Sequence, residues 1–296
     1  MTKHIRSTIL MFTTAIIWGF AFVAQVLGAN HLGSFSFGAL RFLLGAICLI
    51  PVVLIFERKA AGFKKTVMRA ALGGTVLAIA ANLQQIGIEY TSAGKASFMT
   101  GLYTIMVPIV AFIFLKRKTN INIWIGAILG LTGLYLICAE GNMAQFGKGE
   151  IILLISDVFW AFHILIVSRF SEDEPPLRYS MCQFFVCGFE TLIIALIFET
   201  MTFAAIAEAA LPILYCGVLS VGVAYTLQVV SQKDADPTYA SIIFSTESVF
   251  GAVGGAIFLH EVMSVKGYIG CAVVFAGIVI SQLDFKQMIH KRRMAK

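Results

Sequence analysis

Long apolar runs separated by short polar clusters make up the chain. Ten runs reach about 20 residues, the length a helix needs to cross roughly 30 Å of hydrocarbon. They lie at roughly 8–28, 35–56, 68–88, 94–115, 121–139, 149–168, 179–199, 209–230, 237–259 and 265–283. The connections between them are all short, which leaves no room for a soluble domain. The first run follows Lys3 and Arg6, the charge profile of a signal peptide. At about 20 residues it is too long for a cleaved apolar region, so it reads as a retained first span.

Composition narrows the class. Of 296 residues, 59% are hydrophobic and 13% charged, against about 25% charged in an ordinary soluble domain. This excludes a disordered chain, a disulfide-stapled secreted domain and a soluble enzyme, and leaves an all-α integral membrane protein with ten transmembrane helices. The net charge of +6 would suit nucleic acid, but the basic residues cluster at the ends of apolar runs, as the positive-inside bias produces. No nucleic-acid partner is expected. With the N-terminus inside, the inner segments hold Lys3, Arg6, Arg58, Lys59, Lys64, Lys65, Arg69, Lys116, Arg117, Lys118, Arg169, Arg178, Lys233, Lys286, Lys291, Arg292, Arg293 and Lys296. Only Lys95, Lys148 and Lys266 fall outside, and Arg41 lies within a span. That asymmetry predicts a multi-pass protein of the cell (plasma) membrane with both termini cytoplasmic. The six cysteines (Cys48, Cys138, Cys182, Cys187, Cys216, Cys271) all sit inside apolar runs without a C-x-x-C pair. They read as reduced packing residues, and no His or Cys group has metal-ligand spacing, so neither metal nor cofactor is expected.

The second half resembles the first at an offset of 142 to 144. Trp18 pairs with Trp160, Ala96-Ser97 with Ala240-Ser241, Leu115 with Leu259, and Gly126/Gly133 with Gly270/Gly277. These matches divide the chain into residues 1–142 and 143–296. Five spans per half is odd, so the second half enters from the opposite face and the two form an inverted-topology repeat, frequent among secondary transporters.

At these residues the chain resembles the ten-helix EamA branch of the drug/metabolite transporter superfamily. The carrying segments are Ile17-Trp18-Gly19, Leu40-Arg41-Phe42-Leu43-Leu44, Glu247-Ser248-Val249-Phe250 and Phe258-Leu259-His260-Glu261. The resemblance implies two inverted five-helix repeats, a central cavity lined by spans 1, 3, 4, 6, 8 and 9, and alternating access. The chain departs from the family at two places: Lys116-Arg117 stands where span 4 often closes on an acid, a feature kept only as Glu261, and Ser248 stands where a proline often follows the span 9 glutamate.

Ionisable groups inside a span cost about 2.5–3.5 kcal/mol each on insertion scales, so each calls for a reason. Glu247 lies mid-span in span 9. It reads either as a protonatable cavity carboxylate or as a group paired with Arg41 or with Ser and Thr hydroxyls. Asp157, Trp160 and Ile164 form an i, i+3, i+7 stripe with His163 at its edge, read as proton relay and cation recognition or as interhelical packing. Glu190 is a weaker candidate, since the resemblance implies a peripheral place for its span. Arg41 reads as structural, pairing with an acid or with helix-end carbonyls.

Polar stripes should face a cavity: Asn82, Gln85 and Glu89 on span 3, and Tyr225, Gln228 and Gln232 on span 8. Span 4 adds Ser97, Thr100, Tyr103 and Thr104, and span 1 adds Trp18, Phe22 and Gln25. Interhelical hydrogen bonds, worth about 0.6 kcal/mol each on average, are the other reading. The stretches Gly126-x-x-x-Gly130 and Gly251-x-x-x-Gly255 read as close helix contacts. No G-x-x-x-x-G-K-[ST] loop occurs, so ATP-driven pumping has no support.

The chain therefore reads as a secondary transporter of a small organic metabolite such as an amino acid, amine or drug-like solute. The expected substrate-binding residues are Trp18, Gln25, Asn82, Gln85, Tyr103, Trp160, His163, Tyr225, Gln228 and Glu247, with Glu247 and Asp157 as proton-coupling groups. Aromatic rings beside carboxylates suit a cationic or zwitterionic solute. The other expected partners are the lipid bilayer, protons and a second copy of the chain in a homodimer. The rival class is an intramembrane lipid-modifying enzyme or a non-transporting scaffold.

Overall fold

The computed structural model describes residues 3–58, 62–116, 121–138, 147–235 and 237–282. Among them all regular structure is helical: α1 (Lys3–Ala29), α2 (Ser34–Phe56), α3 (Phe63–Ile88), α4 (Ala93–Thr100), α5 (Tyr103–Leu115), α6 (Ile121–Cys138), α7 (Lys148–Ser171), α8 (Pro176–Phe198), α9 (Phe203–Glu208), α10 (Ala210–Leu214), a π-helical segment (Tyr215–Tyr225), α11 (Thr226–Gln232), α12 (Pro237–Ser245), α13 (Glu247–Phe258) and α14 (Val265–Gln282). Seven helical segments are long and apolar enough to cross a membrane, and three shorter ones are apolar. Arg117, Lys118 and the basic tail from Lys286 lie outside the described residues.

Three predicted runs are not single uninterrupted α-helices. The fourth breaks between α4 and α5 at Gly101, where a Cβ would stand 2.5 Å from Ser248 Oγ. The ninth breaks between α12 and α13 at Thr246, whose Oγ1 donates to the Ile243 carbonyl at 2.6 Å, a side-chain bond that competes with the helical ladder. The eighth carries the π-helical segment, a form that concentrates at functional sites.

Helices meet through small residues. A Cβ at Gly133 would lie 2.6 Å from the Gly270 carbonyl, and one at Gly277 would lie 2.8 Å from that of Gly126. The four glycines of the sequence repeat thus form the crossing of α6 and α14. Gly251 meets Ser97 in the same way, Gly255 meets the Glu261 carboxylate, and Gly19 meets Phe250 and the Glu247 carbonyl. The expected close helix contact is present at Gly251, against Ser97 on α4, while the nearest neighbour of Gly255 is the Glu261 side chain from the segment after α13.

Other contacts recur at the repeat spacing. Thr104 Oγ1 donates to the Ser241 carbonyl at 3.1 Å and Ser248 Oγ to that of Ser97 at 2.8 Å. Lys116 and His260, which follow α5 and α13, both adopt a left-handed φ of 51°. At one end of the bundle Glu57 accepts from the backbone amides of Leu177 and Arg178, and Arg69 pairs with Asp173 and Glu174. At the other end Glu199 accepts from Phe35 and Ser36, while Glu261 closes the N-terminus of α4 through the amides of Ala93 and Gly94 at 2.7 and 2.9 Å. Between the ends the outer surface is apolar. Leu196, Ile197 and Phe198 are 68, 67 and 76% exposed, an arrangement suited to lipid rather than water.

Candidate functional site

A narrow cavity lies among the helices, with a volume of about 30 Å³, room for about one water molecule. From α1 it receives Trp18, Phe22 and Gln25; from α4 and α5, Thr100 and Tyr103; and from α7, Trp160 and Ile164. The π-helical segment supplies Ser220 and Tyr225, α11 supplies Gln228, and α13 supplies Glu247 as its first residue. The two helix breaks therefore deliver Tyr103 and Glu247 to the same space from positions 144 residues apart.

Tyr225 is the centre of the aromatic wall. Its ring lies 4.6 Å from that of Trp18, tilted by 56°, and 6.0 Å from that of Trp160, nearly parallel at 18°. Phe42 and Phe184 pack behind it at 6.1 and 5.9 Å. Tyr225 and Trp160 are buried and Trp18 partly so, and Trp18 Nε1, Trp160 Nε1, Thr100 Oγ1, Gln228 Oε1 and Glu247 Oε1 have no hydrogen-bond partner. Buried polar atoms are normally satisfied, so this many beside one cavity equips it for a polar solute. The Tyr103 hydroxyl faces the Glu247 carboxylate, and Asp157 lies within electrostatic reach of that carboxylate.

Asp157 is wholly buried, and neither carboxylate oxygen has a partner. It stands behind the cavity rather than on its surface. His163 is also behind it, with Nε2 3.2 Å from Gln183 Oε1 and its ring against those of Trp160 and Tyr225.

The span 3 stripe is out of phase with its expected position. Asn82 donates to Thr191 Oγ1 on α8 at 2.9 Å, and Gln85 donates to the Gln25 carbonyl at 3.2 Å. Glu89 accepts a bond from Ser34. Gln84, one residue from the expected position and 100° around the helix, is the α3 residue that lines the cavity. On α11, Gln232 bonds the Ile164 carbonyl, and on α4, Ser97 is consumed by backbone contacts with Gly94 and Ser248. Glu190 accepts from Thr75 Oγ1 at 2.7 Å, away from the cavity.

Arg41 departs from its expected role. It pairs with no carboxylate among the described residues and lines the cavity, with Nη1 donating to Gln25 Oε1 at 2.8 Å. Span 2 thus joins the six spans expected around the cavity. No sequence signal separates a lining arginine from a structural one. Ser220 and Gln84 also went unread, because the π-helical turn and the phase of α3 decide their direction.

The profile of the EamA-like transporter family matches residues 5–139 and 147–283. An uncharacterized transporter of Archaeoglobus fulgidus is 24% identical over 95% of this chain and 87% of its own length. The uncharacterized transporter YoaV of Bacillus subtilis is 22% identical over 93% and 96%. The uncharacterized inner membrane transporter YedA of Escherichia coli K12 is 25% identical over 54% of this chain and 52% of its own. A crystal structure with 16% identity superimposes with a TM-score of 0.71, covering 95% of this chain and 98% of the other. With the profile matched along both halves, this multi-pass membrane protein belongs to the EamA-like transporter family.

Proposed function

We propose that the chain is a secondary transporter that moves a small cationic or zwitterionic organic solute through this cavity by alternating access, with proton coupling at Glu247 and Asp157. Ten spans form two inverted five-helix repeats, residues 1–142 and 143–296, with both termini in the cytoplasm. The contacts at the repeat spacing support that symmetry.

The observation that carries the reading is the cavity itself: the indoles of Trp18 and Trp160 and the phenols of Tyr103 and Tyr225 surround the buried carboxylate of Glu247. Ring faces and a carboxylate favour a positively charged group. Gln25 and Gln228 supply hydrogen bonds from the cavity wall, while Asn82, Gln85 and His163 position the wall from behind. A volume of about 30 Å³ is too small for a metabolite, so loading requires one end of the bundle to open. The Glu261 bonds to Ala93 and Gly94 are the closure at that end.

An intramembrane enzyme fits less well. Asp157 makes no hydrogen bond to His163, whose Nε2 is engaged by Gln183, so the acid–imidazole pair such chemistry would use is not assembled.

Flux of labelled amino acids, primary amines and quaternary amines into proteoliposomes tests the proposal. Saturable uptake of a panel member supports it. No movement of any member, with protein shown to be folded and inserted, removes it in favour of the enzyme or scaffold.

A further inference from the structure

We infer that Arg41 is the anchor for a carboxylate of the solute, which narrows the substrate to molecules carrying that group beside the cationic or aromatic part held by the rings. The inference rests on the transporter reading and adds a substrate class to it.

Arg41 is 4% exposed and projects from α2 into the cavity. A guanidinium does not lose its proton in proteins, so the cavity holds a permanent positive charge at membrane depth. Such charges are normally paired with an acid or with backbone carbonyls. Arg41 has neither: among the described residues no carboxylate lies within ion-pair distance, and Nε has no partner. The Glu247 carboxylate faces the Tyr103 hydroxyl instead.

The surroundings hold the guanidinium in place without neutralising it. Gln25 Oε1 accepts from Arg41 Nη1 at 2.8 Å and from Gln84 Nε2 at 3.3 Å. Gln25 Nε2 is tied to the Ala21 carbonyl at 3.3 Å, which fixes the amide and with it the arginine. The rings of Phe37 and Phe42 flank the guanidinium carbon at 5.6 and 5.1 Å. Cys216 also lies within hydrogen-bond reach of the guanidinium. The arrangement engages only part of its five N–H donors, and the planar fork retains donors of the kind that grip a carboxylate in two bonds.

Packing alone does not require a cation at this position. The residue 142 places later is Gln183, a neutral side chain on α8 that meets His163 on α7. Arg41 therefore makes the two halves chemically unlike. Tyr225 lies within electrostatic reach of both Arg41 and Glu247, so the wall offers a cation and an anion around one ring, a complement to a zwitterion.

The test uses matched probes: phenylalanine, phenylalaninamide and phenethylamine, with leucine, leucinamide and isoamylamine as a second series. Binding is read as thermal stabilisation of the purified protein, and transport as flux into proteoliposomes. The acid of each series should bind at least about tenfold more tightly than its amide or amine. Arg41→Gln should erase that preference, while Arg41→Lys, which keeps a point charge but loses the fork, should retain part of it. Equal binding of acid and amine by the parent protein, no binding by either acid, or a preference surviving in Arg41→Gln would overturn the inference. If Arg41→Gln does not fold, the parent series and Arg41→Lys decide. Amine flux without acid preference removes the anchor and leaves transport standing; no flux of any probe removes both.

Discussion

Glu57 and Glu199, 142 residues apart, cap each other's helices. Glu57 follows the end of α2 and accepts the Leu177 and Arg178 amides at 3.1 and 2.7 Å, at the start of α8. Glu199 follows the end of α8 and accepts the Phe35 and Ser36 amides at 3.0 and 2.7 Å, at the start of α2. A carboxylate at a helix N-terminus satisfies orphan amides and favours the helix dipole. Because each helix is held at both ends by the other, α2 and α8 form a clasped antiparallel pair, and Arg41 is fixed on the first of them.

Glu57→Ala and Glu199→Ala should therefore destabilise the protein by similar amounts, about 1–2 kcal/mol each, and their effects should add because the two caps lie at opposite ends of the pair. Thermal melts in detergent measure both. A neutral result at one site and a large loss at the other would show that the clasp is not reciprocal.

Much of this site was legible because a polar or aromatic residue on an apolar span stands out. Trp18, Tyr103, Trp160, Tyr225, Gln228 and Glu247 all belong to such patterns and all line the cavity. Periodicity failed where direction depends on packing. Asn82, Gln85 and Glu89 share one face of α3, but that face meets α8, α1 and Ser34 through the bonds already described, and Gln84 points the other way. The π-helical segment also escaped the sequence, since Gly217 and Gly222 within it suit either a close contact or a change of helix type. Gly126, Gly133, Gly270 and Gly277, matched in sequence at an offset of 144, also touch in space.

The proposed orientation rests on the charge asymmetry and is open to labelling. After replacement of the six native cysteines, Gly62→Cys should react with an impermeant thiol reagent only once cells are permeabilised, and Gly147→Cys should react in intact cells. Gly62 lies in the link between α2 and α3, and Gly147 directly precedes α7, so single substitutions there avoid helix interiors. Labelling of position 62 from outside would overturn the proposed topology.

The ring wall should carry affinity. Trp18→Ala, Tyr103→Ala, Trp160→Ala and Tyr225→Ala each remove a face, and loss of a desolvated cation–π partner costs about 2 kcal/mol, near thirtyfold in affinity. The largest loss is expected for Tyr225→Ala, because its ring touches both tryptophans. Binding isotherms for a transported solute, alongside melts, separate recognition from folding. Parent-like affinity in all four variants, or failure of all four to fold, would end the aromatic-wall hypothesis.

The proposed energetic coupling at Glu247 rests on its position and surroundings. It starts α13 at the Thr246 break, is 3% exposed, and presents an unpartnered Oε1 to the cavity. Tyr103 occupies the corresponding position in the first half, at the start of α5. The two halves thus oppose a carboxylate and a phenol, of which the carboxylate is by far the stronger acid. Protonation removes a buried charge, so it changes which closed or open arrangement costs least, which is how a proton gradient biases alternating access. Glu247→Gln mimics the protonated form without its exchange. It should fold and still support counterflow exchange at saturating solute, while losing accumulation driven by a pH gradient. Accumulation equal to that of the parent would remove Glu247 from the coupling step and pass the role to Asp157, the second buried acid in electrostatic contact with the cavity.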